Sequence, residues 1–324
     1  MKIIVTGGAG FLGSRVIRAL LSQDGSRGGV PAFSGIVSVD FAPCPVDDPR
    51  VTSVVGDLAD PAVARGVIGG DTVGVYHLAA VLSGQSEQEF DLGMLVNVDG
   101  TRALLEAARV SGRTPRFVFA SSVAVFGGDL PGVVPENTAP LPASSYGSQK
   151  AIGELLVNEY SRKGFIDGRA CRLPTIVVRP GKPNSAASSF ASGIIREPLA
   201  GVTSNCPVPL ETRMWLSSPG VVVSNLVHAM AVDGAQLGAW RTLNLPGICV
   251  TAADMLASLE RVGGTGPRAL ISHEQEQRII DIVCSWPGDF DVSRALALGF
   301  TRDHNFDAVV QQYKDEFFPN GTAP

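Results

Sequence analysis

The chain has 324 residues, of which 45% are hydrophobic and 18% charged, and its formal net charge is −5. This composition favours one large folded domain or two coupled lobes and argues against disorder. The chain has no basic block, so we expect no nucleic-acid partner. No apolar run reaches the ~18 residues that predict a membrane span, and the N-terminus does not resemble a targeting segment. Five scattered cysteines without metal-ligand spacing indicate reduced thiols, a cytoplasmic location and no metal site.

Short apolar runs alternate with helical patterns through the first half of the chain. Strands are predicted near residues 2–6, 36–40, 51–55, 74–78, 116–121 and 169–178, and helices near 11–22, 61–69, 87–111 and 146–163. This alternation is typical of right-handed βαβ units. The strands are nearly all apolar, as expected when helices cover both faces of a sheet. We therefore predict an α/β fold built on a Rossmann-type, doubly wound parallel sheet.

The character of the sequence changes near residue 180, where prolines and glycines interrupt the pattern. We predict a large sheet domain over residues 1–178 and a smaller, loop-rich C-terminal lobe over residues 179–324, suited to holding a ligand. Later helical patterns fall near 220–233, 251–262 and 306–317, and the first of these helices is expected to pack back on the sheet domain. A Gly/Ser-rich insertion at 24–35 predicts an exposed loop.

Glycines follow the first predicted strand and precede the first predicted helix. Gly8, Gly10 and Gly13 have the G-x-G-x-x-G spacing, and Gly7, Gly10 and Gly13 have the G-x-x-G-x-x-G spacing, so both alternatives stay open. Glycines permit a tight turn and let a pyrophosphate approach the backbone, while the helix N-terminus offers free N–H groups. Because the motif lies between a strand and a helix, it predicts a dinucleotide site rather than an unliganded turn.

Two aspartates bear on the kind of dinucleotide. Asp40 ends the second predicted strand, where a carboxylate can accept from both adenosine ribose hydroxyls and would repel a 2′-phosphate. No lysine or arginine lies in 41–49, so we predict NAD rather than NADP; a surface aspartate is the alternative. The insertion at 24–35 explains why Asp40 lies more than the usual ~20 residues from the glycines. Asp57 either reaches the adenine amino group or caps a turn.

Tyr146 and Lys150 are spaced i and i+4 on a predicted helix, so they share one face. A lysine ammonium near a phenol favours the phenolate, which is what a proton-transfer group needs. Ser122 ends a buried predicted strand and can hold a substrate hydroxyl toward Tyr146. Asn97 is a polar amide in an apolar helix and requires a partner there; a capping or helix-kinking role is the alternative. A bare Tyr/Lys pair also occurs by chance, so the four residues carry the hypothesis together.

These residues resemble the extended short-chain dehydrogenase/reductase family. Residues 6–13 (TGGAGFLG) resemble its T-G-x-x-G-F-x-G motif, and residues 77–80 (HLAA) resemble its H-x-A-A motif. Asn97, Ser122, Tyr146 and Lys150 match its Asn-Ser-Tyr-Lys tetrad. Residues 290–300 resemble the D-x-S-K-A and L-G-[WF] segment near the end of family members, so the resemblance covers nearly the whole chain.

The resemblance implies hydride transfer between a substrate carbinol carbon and NAD. Tyr146 would be the base in oxidation or the acid in reduction, and Lys150 would tune it and bind the cofactor ribose. Ser122 would orient the substrate oxygen, and Asn97 would hold a water in a proton relay. The implied NAD contacts are Gly7, Gly10, Phe11, Leu12, Gly13, Asp40, Asp57, Leu58, Leu78, Ala79, Ala80, Asn97, Tyr146 and Lys150.

The segment after the sixth predicted strand bears on the substrate. Many relatives bind nucleotide-sugars and carry R-x-x-N-V-[YF]-G-P there, but this chain has Thr175 in place of the asparagine. The related R-D-[FY] motif keeps its arginine, Arg213, without the acidic positions. Residues 178–219 resemble instead a branch of the family that oxidises the C2 hydroxyl of a four-carbon sugar acid with NAD. We therefore predict a small sugar-acid substrate, with Ser122, Tyr146 and Thr175 beside it.

A sugar acid needs a cation for its carboxylate. The predicted substrate lobe offers Arg179, Lys182, Arg196 and Arg213, of which Arg213 is the first choice and a solvated surface arginine is the alternative. Trp215 is assigned to the core rather than to a ligand wall. Two other functions stay open: a nucleotide-sugar epimerase or dehydratase with bound NAD, and a catalytically silent dinucleotide-sensing protein. The helices near 87–111 and 146–163 are apolar on more than one face, and in the family such helices pair between subunits, so a homodimer is expected.

Overall fold

The computed structural model describes residues 1–22, 29–181 and 188–319. The strands in this part of the chain are β1 (Lys2–Thr6), β2 (Gly35–Asp40), β3 (Val51–Val55), β4 (Thr72–His77), β5 (Arg116–Ser122), β6 (Asp167–Leu173), β7 (Thr175–Ile176), β8 (Ser204–Asn205), β9 (Arg213–Ser217), β10 (Thr242–Asn244), β11 (Ile248–Thr251) and β12 (Ile271–Ser272). The helices are α1 (Phe11–Ser22), α2 (Pro61–Val67), α3 (Ser83–Gln88), α4 (Phe90–Gly93), α5 (Gly100–Val110), α6 (Ser145–Arg162), α7 (Ser189–Leu199), α8 (Pro219–Ala231), α9 (Gly234–Leu237), α10 (Ala252–Gly263), α11 (Thr265–Ala269), α12 (Gln277–Val283), α13 (Ser293–Ala297) and α14 (Phe306–Phe317). No described helix has the length and apolar character needed to cross a bilayer.

Seven strands form one sheet in the order β3-β2-β1-β4-β5-β6-β10, and every adjacent pair is parallel. The strand order reverses between β1 and β4, so the sheet is doubly wound. In such sheets the ligand crevice opens beyond the carboxyl ends of the strands at the reversal. The predicted α/β fold with a Rossmann-type sheet is confirmed, and the crevice lies beyond Thr6 of β1 and His77 of β4.

Alternate residues of β1 enter separate apolar clusters on the two faces of the sheet. Ile3 and Val5 belong to a cluster that also contains buried side chains of α1 and α8, whereas Ile4 belongs to a cluster with α2, α5 and α6. Burying a large aliphatic side chain contributes about 1.5–3 kcal/mol, so these two layers hold the sheet between the helices. Leu226 of α8 is fully buried against this sheet although it comes from the second half of the chain.

A second core lies in the C-terminal half. β9 pairs with β11 in antiparallel fashion and with β7 in parallel fashion, and the side chains of α7, α10 and α14 cover this small sheet. The short strands β8 and β12 pair beside it. The chain returns to the large sheet in α8, in β10 and in α13, whose Ala295 joins the large-sheet core. The predicted boundary near residue 178 stays a prediction.

The strand predicted over 169–178 is in fact two strands. Pro174 separates β6 from β7, and β7 pairs with β9 of the small sheet rather than extending the large one. Proline has no N–H to donate to a strand ladder, which explains the break. This break is the point at which the chain leaves the large sheet.

The helix predicted near 87–111 is helical from Phe90 to Val110, but it starts later than predicted and contains a π-helical turn. Glu89 has φ −122° and ψ 70° and interrupts the helix between α3 and α4. Met94–Asp99 is π-helical, and α5 follows it. A π-helical turn hydrogen-bonds i to i+5 and frequently marks a functional site. This turn contains Asn97.

Candidate active site

The glycine loop joins β1 to α1 at the reversal of strand order. Gly7 has φ +72°, and Gly10 N donates to Gly7 O at 3.0 Å. A Cβ at Gly13 would lie 2.0 Å from Gly7 O, so any side chain at this position would require the loop to move. The glycines thus leave an open space beside the loop backbone, which a side chain would otherwise fill. This space at the start of α1 fits the pyrophosphate of a dinucleotide. Phe11 and Leu12, the first residues of α1, are half-buried there.

Asp40 lies directly beside this loop. Its Oδ2 accepts from Ala9 N at 3.0 Å and its Oδ1 accepts from Phe41 N at 2.7 Å, so the half-buried carboxylate is held in place at the end of β2. This position suits a ribose contact, and that role stays a prediction.

Asp57 is exposed and lies two residues beyond β3, where its Oδ1 accepts from Ala59 N at 2.8 Å. The capping alternative therefore describes what Asp57 does in this structure. Leu58, the next residue, is buried in the core. Contacts of both residues with the adenine stay predictions.

A chain of hydrogen bonds crosses the end of β4. Thr6 Oγ1 lies 2.8 Å from His77 Nδ1, His77 Nε2 lies 2.8 Å from Thr101 Oγ1, and Thr101 Oγ1 donates to the carbonyl of Asn97 at 2.6 Å. Burial lowers the pKa of His77 to about 3, so the ring stays neutral and acts as a spacer between β1 and the π-helical turn.

The segment after His77 closes on the glycine loop. Ala79 N donates to Thr6 Oγ1 at 3.3 Å, and a Cβ at Gly7 would lie 2.8 Å from Ala79 N. Leu78, Ala79 and Ala80 are each half-buried. These three residues therefore lie against the loop that is predicted to hold the dinucleotide, and their contacts with it stay predictions.

Asn97 is buried, and both the oxygen and the nitrogen of its amide contact protein. Its Oδ1 accepts from Val81 N at 2.8 Å, and its Nδ2 lies 3.0 Å from Val81 O, 3.3 Å from Ser86 Oγ and 2.7 Å from Gln149 Oε1. These contacts tie the segment after β4 to α6. Oδ1 accepts one of the two hydrogen bonds that an amide oxygen can accept, and the water-holding role stays a prediction.

Tyr146 and Lys150 lie on the first turns of α6, which Ser144 caps by accepting from Gly147 N at 3.1 Å. Lys150 Nζ donates to the carbonyl of Ala120 at 2.8 Å and lies 5.5 Å from the centroid of the Tyr146 ring. Burial lowers the pKa of Lys150 to about 7 and raises the pKa of Tyr146 to about 12. Without cofactor, Tyr146 is thus a phenol, and positive charge nearby is needed to make it a base.

Ser122 ends β5 close to the start of α6. Its Oγ accepts from Ala124 N at 3.1 Å, which leaves the hydroxyl proton to donate to another group. A Cβ at Gly147 would lie 2.1 Å from Ala124 O, so glycine lets the first turn of α6 approach this segment. The structure therefore brings Ser122 and the Tyr146/Lys150 pair to the same end of the sheet, at the predicted crevice.

The predicted substrate residues fall on separate elements. Thr175 is half-buried in β7, opposite Leu216 of β9. Trp215 is buried and packs on Phe290 with ring centroids 5.5 Å apart, as a core residue should. Lys182 lies outside the described residues.

The three arginines predicted to bind a substrate carboxylate, Arg179, Arg196 and Arg213, differ in their ion-pair partners. Arg213 is 49% exposed and pairs with Asp289 at 3.0 Å, and Arg196 pairs with Glu197. Arg179 has no ion pair with a carboxylate in the described part of the chain; its backbone N donates to Ser192 Oγ at 3.1 Å, and its carbonyl accepts from Arg196. Arg213, the first choice from sequence, is thus already neutralised, while Arg179 carries a charge that no described acidic residue balances.

One buried ion pair next to Lys150 on α6 was not predicted from the sequence. Glu154 lies one turn beyond Lys150 and pairs with Arg172 at 2.7 Å, and both side chains are buried. The only signal in the sequence is the spacing of Tyr146, Lys150 and Glu154 at intervals of four.

A parallel doubly wound sheet, a glycine cradle at its reversal and a Tyr/Lys pair beside Ser122 define a nicotinamide-dependent oxidoreductase scaffold. The model of the NAD dependent epimerase/dehydratase family matches residues 3–215. The chain belongs to this family, so the predicted family and its cofactor, NAD, are confirmed, as is the prediction of an NAD-dependent enzyme.

Individual relatives are similar over nearly their whole length. D-erythronate dehydrogenase of Cupriavidus necator is 54% identical over 98% of both chains, and D-erythronate dehydrogenase of Haemophilus influenzae is 46% identical over 97% of this chain and 98% of its own. Among solved structures, a nucleoside-diphosphate-sugar epimerase from Agrobacterium tumefaciens is 39% identical, covers 99% of this chain and 95% of its own, and superposes with a TM-score of 0.93.

Proposed function

We propose that this protein is a D-erythronate dehydrogenase that oxidises the C2 hydroxyl to give 2-dehydro-D-erythronate and NADH. The observation that carries the proposal is the Tyr146/Lys150 pair beside Ser122 at the end of the sheet, in a chain 54% identical to a D-erythronate dehydrogenase over nearly all of its length.

The proposed reaction divides between the cofactor and the chain. NAD, when bound, supplies the acceptor for the hydride that leaves C2. Ser122 donates its free hydroxyl proton to the substrate oxygen and directs that oxygen toward Tyr146. Tyr146 takes the hydroxyl proton, and the charge of Lys150 stabilises the phenolate that precedes this transfer. The two electrons leave with the hydride and the proton leaves through Tyr146, so the step is balanced.

Arg179 is proposed to hold the substrate carboxylate, because its charge has no acidic partner in the described residues. In Arg179→Gln the charge-assisted hydrogen bonds to the carboxylate are lost, which costs about 1.5–3 kcal/mol. We expect the KM for D-erythronate to rise roughly 10- to 100-fold with kcat little changed, since the contact is the same before and during the reaction.

The matched control for Arg179 is Arg213→Gln. This arginine is half-exposed and already paired with Asp289, so its loss should change KM by less than about threefold. Steady-state kinetics on the two variants measures both effects. A larger rise in KM for Arg213→Gln than for Arg179→Gln would contradict the assignment of Arg179 and indicate that Arg213 binds the carboxylate.

A nucleotide-sugar epimerase is the second candidate, because the structure from Agrobacterium tumefaciens that superposes with a TM-score of 0.93 is described as a nucleoside-diphosphate-sugar epimerase. Thr175 stands where nucleotide-sugar enzymes of the family usually carry asparagine, which favours the dehydrogenase. The two reactions differ in their use of cofactor: a dehydrogenase releases NADH in excess over enzyme, whereas an epimerase regenerates its bound NAD. Measuring NADH absorbance with D-erythronate in one assay and with UDP-sugars in another distinguishes the two reactions. No net NADH with D-erythronate and related four-carbon acids would reject the dehydrogenase.

A homodimer built on α4, α6 and the π-helical turn is also proposed. Phe90, Leu95, Ile152 and Leu155 are large apolar side chains exposed on these helices, and Leu155 is 64% exposed. Apolar side chains grouped on one surface mark a protein interface. We therefore expect Leu155→Glu to weaken the dimer at least about tenfold, because it buries a charge in the interface.

Light scattering measures this prediction against the chain mass of 33.8 kDa. The wild type should have twice that mass and Leu155→Glu a concentration-dependent lower value. Leu296→Glu changes an apolar residue of α13 that is 39% exposed and should leave the dimer intact. A wild-type mass of one chain would contradict the proposal.

The proposed location is the cytoplasm. All five cysteines are free, which fits a reducing compartment. Fractionation of cells that express the tagged chain tests this location, and recovery in the periplasmic fraction would contradict it.

A further inference from the structure

A buried bridge of three side chains lies one helical turn from Lys150. Ser121 Oγ donates to Glu154 Oε1 at 2.6 Å, while Arg172 donates through Nε to Oε1 at 2.8 Å and through Nη2 to Oε2 at 2.7 Å. Glu154 and Arg172 are 1% and 0% exposed. We call Ser121, Glu154 and Arg172 the Glu154 bridge.

The bridge ties the catalytic helix to the ends of three strands. Ser121 of β5 and Arg172 of β6 are register partners, and so are Arg172 and Asn244 of β10. Arg172 Nη1 reaches Asn244 Oδ1 at 3.3 Å, and its guanidinium carbon lies 4.6 Å from the centroid of the Phe126 ring. Because Ser121 precedes Ser122 directly, the same contacts fix α6 relative to the strand end that carries Ser122.

Stability alone is a weak reason for such a pair. Removing two charges from water is expensive, and apolar residues of similar volume often replace a buried ion pair with no loss of stability. The position of this pair suggests a use in the reaction, since Glu154 lies on the same helix face as Tyr146 and Lys150.

We propose that Glu154 is a positioning residue for proton transfer, because it anchors α6 to the strand ends and supplies the negative charge that Lys150 faces. The inference rests on the proposed function. The titratable groups around Lys150 are Tyr146 and Glu154 on α6 and His77 on β4, of which His77 is neutral, while Arg172 on β6 is the partner of Glu154. Among the described groups around Lys150, Glu154 is therefore the one anion. Burial lowers the pKa of Lys150 and the charge of Glu154 raises it, which favours the protonated lysine that assists Tyr146.

Glu154→Gln keeps the shape of the side chain and removes its charge. Lys150 then loses its proton more easily, so the pKa of Lys150, about 7 in the wild type, should fall. NAD affinity depends on Lys150 as a ribose donor, so it should weaken as pH rises through this pKa. We expect the midpoint of that weakening to move down by about 1 pH unit. At pH 7, the charged fraction of Lys150 should fall from about one half to about one tenth, so kcat with D-erythronate should fall about fivefold.

Calorimetric titration of NAD between pH 5 and 9 measures the midpoint without any substrate. This titration tests the role of Glu154 even if D-erythronate is not the substrate. By contrast, if the wild type formed no NADH with D-erythronate, that result would count against the proposed function alone.

Two further variants separate positioning from folding. Glu154→Met combined with Arg172→Met removes both charges, so no unpaired charge stays buried and Tm should recover relative to Glu154→Gln. Glu154, rather than Arg172, is the charged group that acts on the pKa of Lys150, so the shifted midpoint and the low kcat should persist. Asp167→Asn breaks the pair with Arg169 at the other end of β6 and should lower Tm without moving the midpoint. A double variant with wild-type midpoint and kcat, or an unmoved midpoint in Glu154→Gln, would overturn the proposal.

Discussion

Replacing Tyr146 with phenylalanine should lower kcat for sugar-acid oxidation by about a thousandfold, because the group that accepts the hydroxyl proton is lost. The ring and its packing remain, so the affinity for NAD should stay within about threefold of the wild type. Steady-state kinetics with D-erythronate gives kcat, and titration of NAD into the protein gives the affinity. This combination locates the defect in the chemical step rather than in the fold or in cofactor binding.

Tyr160 provides the matched control for this substitution. It lies on the same helix, α6, but its hydroxyl bonds to Glu106, far along the helix from Lys150. Tyr160→Phe should therefore leave kcat near the wild-type value and change stability by about 1 kcal/mol, the net value of one hydrogen bond. If Tyr146→Phe kept more than a tenth of the wild-type kcat, Tyr146 could not be the proton acceptor.

Gly13→Ala should weaken NAD binding by roughly 5- to 100-fold. The new Cβ would lie 2.0 Å from Gly7 O, so the loop must open where the pyrophosphate is expected. Forcing a methyl group into a closed site costs about 1–3 kcal/mol, and 3 kcal/mol corresponds to a factor of roughly 100 in affinity. Titration of NAD and thermal melting report how much of this cost falls on binding and how much on folding.

Gly66 offers the comparison for the same change. It lies in the exposed part of α2, and a Cβ there meets nothing within 4 Å. Gly66→Ala should raise stability by about 0.5–1 kcal/mol, since alanine loses less backbone freedom in a helix than glycine does. NAD affinity unchanged in Gly13→Ala would show that the loop does not hold the pyrophosphate.

The parts of the site that depend on residues close together in the sequence were predicted correctly in their secondary structure. Strand β1, the glycine loop and α1 follow one another within a few residues, and each is marked by residues with a strong conformational preference. The pairing of Tyr146 with Lys150 also depends on one helix. These elements could be read from sequence because their partners are close along the chain.

Other features depend on partners that are distant along the chain. No local pattern in the sequence indicates that Arg213 pairs with Asp289, or that Glu154 on α6 pairs with Arg172 on β6. β10 has three residues and gains its strand character only from pairing with β6. The π-helical turn at Asn97 changes the backbone hydrogen bonds without changing the apolar pattern, so periodicity predicted a helix here but not its π-helical turn.

The route of the chain between the two sheets has a consequence for engineering. The chain leaves the large sheet after β6, returns through α8 and β10, leaves again at β11 and returns once more at α13. A fragment cut at residue 178 would lack an edge strand and would expose the sheet face that Leu226 covers. Because the segments outside the large sheet are proposed to hold the substrate, grafting a relative's specificity would require exchanging several separate segments rather than joining two halves at a single crossover.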